Sequence, residues 1–386
     1  MKIGIVTGEY PPLKGGVGDY THAIAVNLTE RGHNVRVITD QRCIHPDNQS
    51  NHPIVRPIAS SRWSWLDIWR VHIATTDLDI VNIQYQAAAY GSMRLPIHFL
   101  PRFIVPPSIV TLHDLRPPYL FPKAGRLRER AVWTLSQGAE GVIVTNQQDY
   151  NDCSARHGMP PIEQIQIGSN IPCAPPETFS ASKWRLERGI TPDELVLGYF
   201  GFLNANKGIE TLLRALATLR STDLNVRLIL IGEHTGSTDR QNIVDAQRID
   251  RIAKQLKIDN RILRTGYLAP TETSAALLSC DLMVMPYSDG VSFRRGSFLA
   301  CLAHGRTTIT TKPTFHIPEL IPLENVILTQ PETTDIVNAV QTVYANPSLR
   351  RNVEEGALRL SKQFKWSSIA ERLEAFFSDI ISNHNA

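Results

Sequence analysis

The sequence predicts an α/β protein made of two doubly wound, parallel-sheet halves of the Rossmann-like kind. Three observations predict it. An opening strand, Lys2–Thr7, leads through a glycine-rich loop and an amphipathic helix into a second strand, Asn34–Thr39, which is the β–loop–α–β start of such a sheet. The same pattern restarts at Glu194–Phe200 and runs through the loop Gly201–Gly208 into a helix, Ile209–Leu219, and a strand, Val226–Ile231. Between them, around Pro172–Glu177, prolines cluster and hydrophobic periodicity is lost, as in a linker. With 386 residues the chain also exceeds what one core ordinarily supports.

The elements follow in order. The first helix is expected over Asp19–Arg31, with Ile24, Val26 and Leu28 among its apolar positions and Gly32 at its end. Ile54-Val55 is a short strand candidate and Ser64–Ala74 a helix. Asp79–Gln84 and Ser108–His113 read as strands, Gly125–Gln137 as a helix and Gly141–Thr145 as a strand. Gln147–His157 and Gln164–Ile167 close the first half as a short helix and a short strand. In the second half Leu212, Leu213, Leu216 and Leu219 give one helix its apolar side. Helices at Asp245–Leu256 and Glu272–Ser279 flank a strand at Arg261–Thr265. The apolar run Asp281–Met285 reads as a buried strand, followed by a turn-rich loop, a helix opening at Gly296-Ser297 and stopping at Gly305, and a strand at Thr307–Thr310. Asn325–Leu328, Asp335–Tyr344 and Ser348–Phe364 complete this half, and Trp366–Ile381 is a last amphipathic helix. The domain division is therefore 1–172, a linker over 173–193, 194–365, and a terminal helix within 366–386.

Composition narrows the classes. Hydrophobic residues make up 42% and charged residues 20%, as in an ordinary globular protein. No apolar run is long enough to span a membrane, and the N-terminus reads as a strand, not a signal peptide. Five scattered cysteines without a CxxC pair predict reduced thiols in a cytoplasmic protein and argue against a zinc site. A net charge of +3 does not point to nucleic acid. Charge is uneven, however: Gly91–Arg130 carries seven basic residues against Asp114 and Glu129. This segment is either a solvated helix face or a peripheral contact with anionic lipid at the inner face of a membrane, or with an anionic acceptor.

Four stretches carry candidate chemistry. Lys14-Gly-Gly-Val-Gly18 joins the first strand to the first helix, where glycines admit a ligand and a helix start favours an anion; a plain tight turn is the alternative. His113-Asp114 ends a strong strand, on the side where open α/β sheets bind ligands; His113 is a sugar-hydroxyl partner or a satisfied core histidine. Lys207 follows the first strand of the second half and can neutralise a phosphate, or it is a surface lysine in a turn. The stretch Pro286–Gly305 holds Arg294 and Arg295 just before a helix N-terminus, so it is an anion-binding loop or a surface loop with two solvated arginines. Neither glycine loop matches G-x-G-x-x-G with its later acidic residue, and no serine- or cysteine-nucleophile, Walker-A, zincin or EF-hand pattern occurs.

The order of these pieces resembles the retaining, nucleotide-sugar-dependent glycosyltransferases of family 4, which have the GT-B fold. The resemblance spans nearly the whole chain. It rests on Gly15–Gly18, Arg31-Gly-His-Asn-Val35, His113-Asp114, Gly201 with Lys207-Gly208, Gly266-Tyr-Leu268, Cys280–Pro286 and Leu302-Ala-His-Gly305. It implies two Rossmann-like domains facing across a cleft, the first binding the acceptor and the second the nucleotide sugar, with the C-terminal helix crossing back to the first. It implies transfer of a hexose from a nucleotide-diphosphate sugar to a hydroxyl of a glycan or glycolipid, with retention and without a metal or other cofactor. Two positions depart from the family pattern. Phe202 stands where an arginine usually precedes the lysine by five residues, and Ser292 and Ala300 stand where two glutamates are usual.

The implied site follows from that match. The catalytic set is His113, Lys207, Arg294, Arg295 and Asp289; beyond the resemblance itself, Arg294 or Arg295 is expected to supply the charge missing at Phe202 and Asp289 a carboxylate near the sugar. Donor contacts fall on Gly16, Phe202, Lys207, Gly266, Tyr267, Leu268, Ser292, Gly296 and Ser297; acceptor contacts fall on Gly15, Gly16, Val17, Tyr85, Gln86 and Asp114. The alternative is a catalytically inactive relative that binds a nucleotide sugar or a glycan as a regulator.

Overall fold

The structure is a computed structural model that describes all residues except 14, 44–52, 92–94, 114, 116–124, 202–206, 233–239 and 386, and omits the side chains of 125, 126, 128 and 240–246. It divides into two compact units, one of residues 1–168 with 365–386, the other of residues 169–364.

The first unit runs β1 (Lys2–Thr7), α1 (Gly16–Glu30), β2 (Asn34–Asp40), β3 (Ile54–Ala59), α2 (Trp65–Thr75), β4 (Ile80–Tyr85), β5 (Ser108–Leu112), α3 (Gly125–Gln137), β6 (Gly141–Val144), α4 (Gln147–Ser154) and β7 (Ile162–Gln164). Its seven strands lie in the order β3-β2-β1-β4-β5-β6-β7, and all the pairings are parallel. Strand alternation sorts the core into two layers. Ile3, Ile5, Ile80, Ile109 and Ile143 pack on one sheet face beneath α1, and Val6, Val81, Ile83, Val110 and Val142 pack on the other, with Ile68 and Val71 of α2.

The second unit runs α5 (Ala181–Leu186), β8 (Leu195–Phe200), α6 (Ile209–Arg220), β9 (Val226–Ile231), α7 (Arg240–Gln255), β10 (Ile262–Arg264), α8 (Pro270–Leu278), β11 (Leu282–Met285), α9 (Gly296–Ala303), β12 (Thr308–Thr311), β13 (Ile327–Thr329), α10 (Thr333–Ala345) and α11 (Pro347–Ser361). Its sheet is also parallel, in the order β10-β9-β8-β11-β12-β13. The chain then returns to the first unit as α12 (Trp366–His384), whose Ile369, Leu373, Phe377 and Ile380 are buried in the same layer as α1.

Most expected elements fall within a few residues of their observed places. Four differ for physical reasons. Helix α1 begins at Gly16, so the glycine loop is itself the first turn, and Val26 is only half-buried because it sits beside the core stripe of Ile24, Ala25 and Leu28. The last strand of the first unit is Ile162–Gln164, displaced from Gln164–Ile167, because its register with β6 pairs Ile162 with Val142. A 3-10 helix at Leu95–Arg102 was not expected, since its prolines mask helical periodicity. The segment 173–193 is not a free tether. Its helix α5 buries Trp184 and holds Asp281 at the start of β11 through Arg185, 2.9 Å away, so it belongs to the second unit.

Candidate functional site

In an open parallel sheet, ligands bind beyond the carboxyl ends of the strands where the strand order reverses. In the second unit the reversal falls between β8 and β11. Lys207 follows β8, and the loop 286–295 follows β11. Gly208 joins them: its φ is +67°, and a Cβ there would lie 1.7 Å from the Pro286 carbonyl oxygen. Only glycine lets the lysine turn press on the second loop so closely. A Cβ built on Gly201 would sit 3.4 Å from Lys207 Nζ and 3.8 Å from Ser297 Oγ. The ammonium, the end of β8 and the start of α9 therefore meet at one place.

The loop after β11 is tied down from β12. Thr310 Oγ1 donates to the Met285 carbonyl at 2.6 Å, Thr311 Oγ1 donates to the Tyr287 carbonyl at 2.5 Å, and Val291 N–H donates to the Thr311 carbonyl at 3.2 Å. Tyr287 is fully buried, with its hydroxyl 2.9 Å from Ser297 Oγ. The Arg295 guanidinium lies over the Tyr287 ring, 3.9 Å from its centroid, and is ion-paired with Asp289. Cation–π contact and the carboxylate fix the guanidinium in place. Arg295 Nε is nevertheless buried without a hydrogen-bond partner among the described residues.

Electrostatics follow from this packing. Burial, with Arg295 adding like charge, lowers the Lys207 ammonium from its usual range to about 8. Arg295 is also the N-cap of α9, whose first N–H groups have no intrahelical acceptors. The expected set Lys207, Arg295, Gly296 and Ser297 is thus brought together. Arg294 and Ser292 lie in the same loop, half-buried. Asp289, expected to supply a carboxylate near the sugar, is ion-paired with Arg295. Gly266 follows β10 with φ +67° and bridges to Gly232 at the end of β9; Leu268 is half-buried, and Tyr267 is 72% exposed. Phe202 lies outside the described residues.

In the first unit the strand order reverses between β1 and β4. Here the glycine loop departs from expectation. Glu9 Oε1 accepts from Val17 N–H at 3.0 Å and Gly18 N–H at 3.1 Å, so the chain's own carboxylate occupies the start of α1. Gly15 backs onto that carboxylate: a Cβ would lie 2.2 Å from Glu9 Oε1. Gly16 faces open space, while the Val17 side chain is buried.

His113, at the end of β5, is half-buried and its imidazole is driven down to about 4 by burial, so it is neutral near pH 7. Its Nε2–H donates to Gln84 Oε1 at 2.8 Å, which leaves Nδ1 as an acceptor. Gln84 Nε2 in turn donates to Asn82 Oδ1, as does Thr111 Oγ1 at 3.0 Å. Asn82 and Gln84 alternate on one face of β4, both fully buried. Sequence reasoning missed this pair; the signal was two amides two residues apart in an otherwise apolar strand. Tyr85, expected to meet an acceptor, faces the opposite layer and is buried with its hydroxyl 2.7 Å from His98 Nε2. Strand alternation points it away from the side that Gln84 occupies. Gln86 is half-buried after the strand end, and Asp114 lies outside the described residues.

Comparison with solved structures gives the fold class. Sucrose-phosphate synthase from Thermosynechococcus elongatus matches with a TM-score of 0.77 and 18% identity, covering 99% of each chain. HepE from Anabaena, solved in complex with UDP, matches with a TM-score of 0.76 and 20% identity, covering 98% of this chain and all of that one. The fold is GT-B. Residues 14–170 match the family model described as Glycosyltransferase Family 4 and residues 194–346 the one described as Glycosyl transferases group 1. The chain belongs to this family of glycosyltransferases. Among curated relatives, D-inositol 3-phosphate glycosyltransferase of Corynebacterium glutamicum is 24% identical over 260 residues, spanning 65% of this chain and 60% of that protein's length. Glycogen synthase of Mycobacterium tuberculosis is 24% identical over 414 aligned positions, spanning 96% of this chain and 92% of its own.

Proposed function

We propose that the chain transfers a hexose from a nucleoside-diphosphate sugar to a hydroxyl of a glycan or glycolipid acceptor, with retention at the anomeric carbon and without a metal. The observation that carries this reading is the meeting of Lys207, Arg295 and the start of α9 at the strand reversal of the second unit. A leaving diphosphate develops negative charge, and preorganised cations and backbone N–H groups stabilise it most where water is excluded. Among the described residues the buried Arg295 Nε has no hydrogen-bond acceptor, and a phosphate oxygen that reached it would supply one. That HepE was solved with UDP supports a nucleoside diphosphate as the ligand class.

In the proposed step the acceptor oxygen bonds to the anomeric carbon as the bond from that carbon to the phosphate oxygen breaks. The acceptor proton passes to the leaving phosphate, so no enzymic nucleophile takes part. Lys207 and Arg295 hold the diphosphate, and Arg294 lies in the same loop as Arg295. Within the first unit, the neutral imidazole of His113 offers Nδ1 as an acceptor for a hydroxyl of a bound sugar. In this reading the arginines make up for Phe202, and the positions Ser292 and Ala300 mark a variant of the family's glutamate pattern.

Release of nucleoside diphosphate across a panel of donor sugars, with and without EDTA, tests the proposal, and NMR of the product reports the anomer. Turnover that survives EDTA and requires Lys207 and at least one of Arg294 and Arg295 supports it. Tight donor binding without turnover on any acceptor would instead identify an inactive relative that uses the fold for regulation.

A further inference from the structure

Helix α2 is apolar on two opposite sides. At 100° per residue, Asp67, Ile68, Val71 and Thr75 share one side and are buried. Trp65, Leu66, Trp69 and Ile73 fall within about 100° of arc on the other side. Those four are 52%, 55%, 60% and 51% exposed. Scattered exposed leucines are ordinary, but two tryptophans on one exposed stripe are not.

The patch extends onto the Leu95–Arg102 helix and the turn after it. The Trp65 ring centroid is 5.7 Å from that of Phe99 and 6.0 Å from that of Phe103, and His72 Nδ1 is 2.6 Å from the Phe103 carbonyl oxygen. Leu95, Phe103 and Val105 are each at least half exposed. The rings are thus braced against one another while facing water. Arginines edge the patch: Arg62 and Arg102 are exposed, and the Arg70 side chain is 41% exposed. Across 60–75 and 95–106 the sole carboxylate is Asp67, and it is buried against Ser60, Ser64 and Arg70.

We propose that this face docks on an anionic lipid membrane. Tryptophan and phenylalanine insert at the headgroup level, and guanidiniums meet anionic headgroups beside them. Charge decides between lipid and a second copy of the chain. A two-fold contact would set the arginines of two copies around one patch with no exposed carboxylate of the patch to meet them. An anionic bilayer supplies the opposite charge along the whole edge. The proposal stands independently of sugar transfer, because its readout is vesicle binding.

The test is co-flotation of the full chain with vesicles of phosphatidylcholine alone and of equimolar phosphatidylcholine and phosphatidylglycerol. The wild-type chain is expected to float with the anionic vesicles and to be released by high salt. Trp65→Ser with Trp69→Ser is expected to weaken partitioning at least about tenfold. Arg62→Gln with Arg102→Gln is expected to reduce binding to the level on neutral vesicles. Circular dichroism and melting confirm that each variant is folded, and Trp69→Ser alone provides a milder variant. A wild-type chain that stays at the bottom, or a folded double tryptophan variant that floats like wild type, overturns the proposal. So does a wild-type dimer in sedimentation that the tryptophan changes convert to monomer without any vesicle binding.

Discussion

Gly208 stands so close to Pro286 that a single added methyl group would lie 1.7 Å from the proline carbonyl oxygen. The contact makes the turn carrying Lys207 and the loop carrying Arg295 one mechanical piece. Gly208→Ala meets both that overlap and a left-handed backbone, at φ +67°. We expect it to cost at least about 2 kcal/mol and to weaken nucleotide binding even where the protein still folds. Denaturant unfolding and nucleotide titration measure the two effects separately, and a variant as stable as wild type contradicts the geometry.

Lys207 gives the pH dependence its sign. Its ammonium is held down to about 8, so it loses its proton within the accessible range and not above it. Donor kcat/KM is therefore expected to fall as pH rises through about 8. Arg295 contributes to the lowering, so Arg295→Gln should move the falling limb to higher pH as well as reduce the maximum. A limb that stays in place in the variant separates the two residues.

His113 predicts a stability change in the opposite pH direction. Burial lowers its folded value from 6.5 to about 4, so the unfolded chain takes up the proton first as pH falls. The associated stability is full above about 6.5 and is lost progressively towards about 4. His113→Asn should flatten that part of the melting-temperature profile relative to wild type. Equal pH slopes for the two proteins would rule out a neutral buried imidazole.

Glu9 caps α1 from outside the helix, through Val17 and Gly18 N–H. Glu9→Ala removes an anion from a helix start and leaves two donors without it, which is expected to cost about 1 kcal/mol. Added phosphate should restore part of the loss in the variant and have little effect on wild type. Urea unfolding with and without phosphate gives the comparison.

The alternation of strands and helices was legible because each strand is a short apolar run and each helix carries a 3.6-residue stripe, as in Leu212, Leu213, Leu216 and Leu219. The stop of α9 was legible too, since Gly305 supplies the left-handed residue at its end. What the sequence hid are relations between distant segments. Nothing local to Glu9 says that its carboxylate reaches the N–H groups of Val17 and Gly18. Nothing local to Arg295 says that it lies on Tyr287 and pairs with Asp289. The buried amides of β4 were visible as letters, but their use depends on His113 at the end of a neighbouring strand. Tyr85 was misplaced because proximity to a strand end does not say which face its side chain takes.

The course of the chain through its units has a consequence for synthesis. The first unit is emitted first, yet one face of its sheet is covered in part by α12, which comes after the whole second unit. Until residues 366–384 leave the ribosome, the layer that holds Ile80, Ile109 and Ile143 lacks Ile369, Leu373, Phe377 and Ile380. The nascent first unit therefore carries a hydrophobic layer that α1 covers only in part until α12 is made. That interval is when it is most exposed to aggregation and most dependent on chaperones.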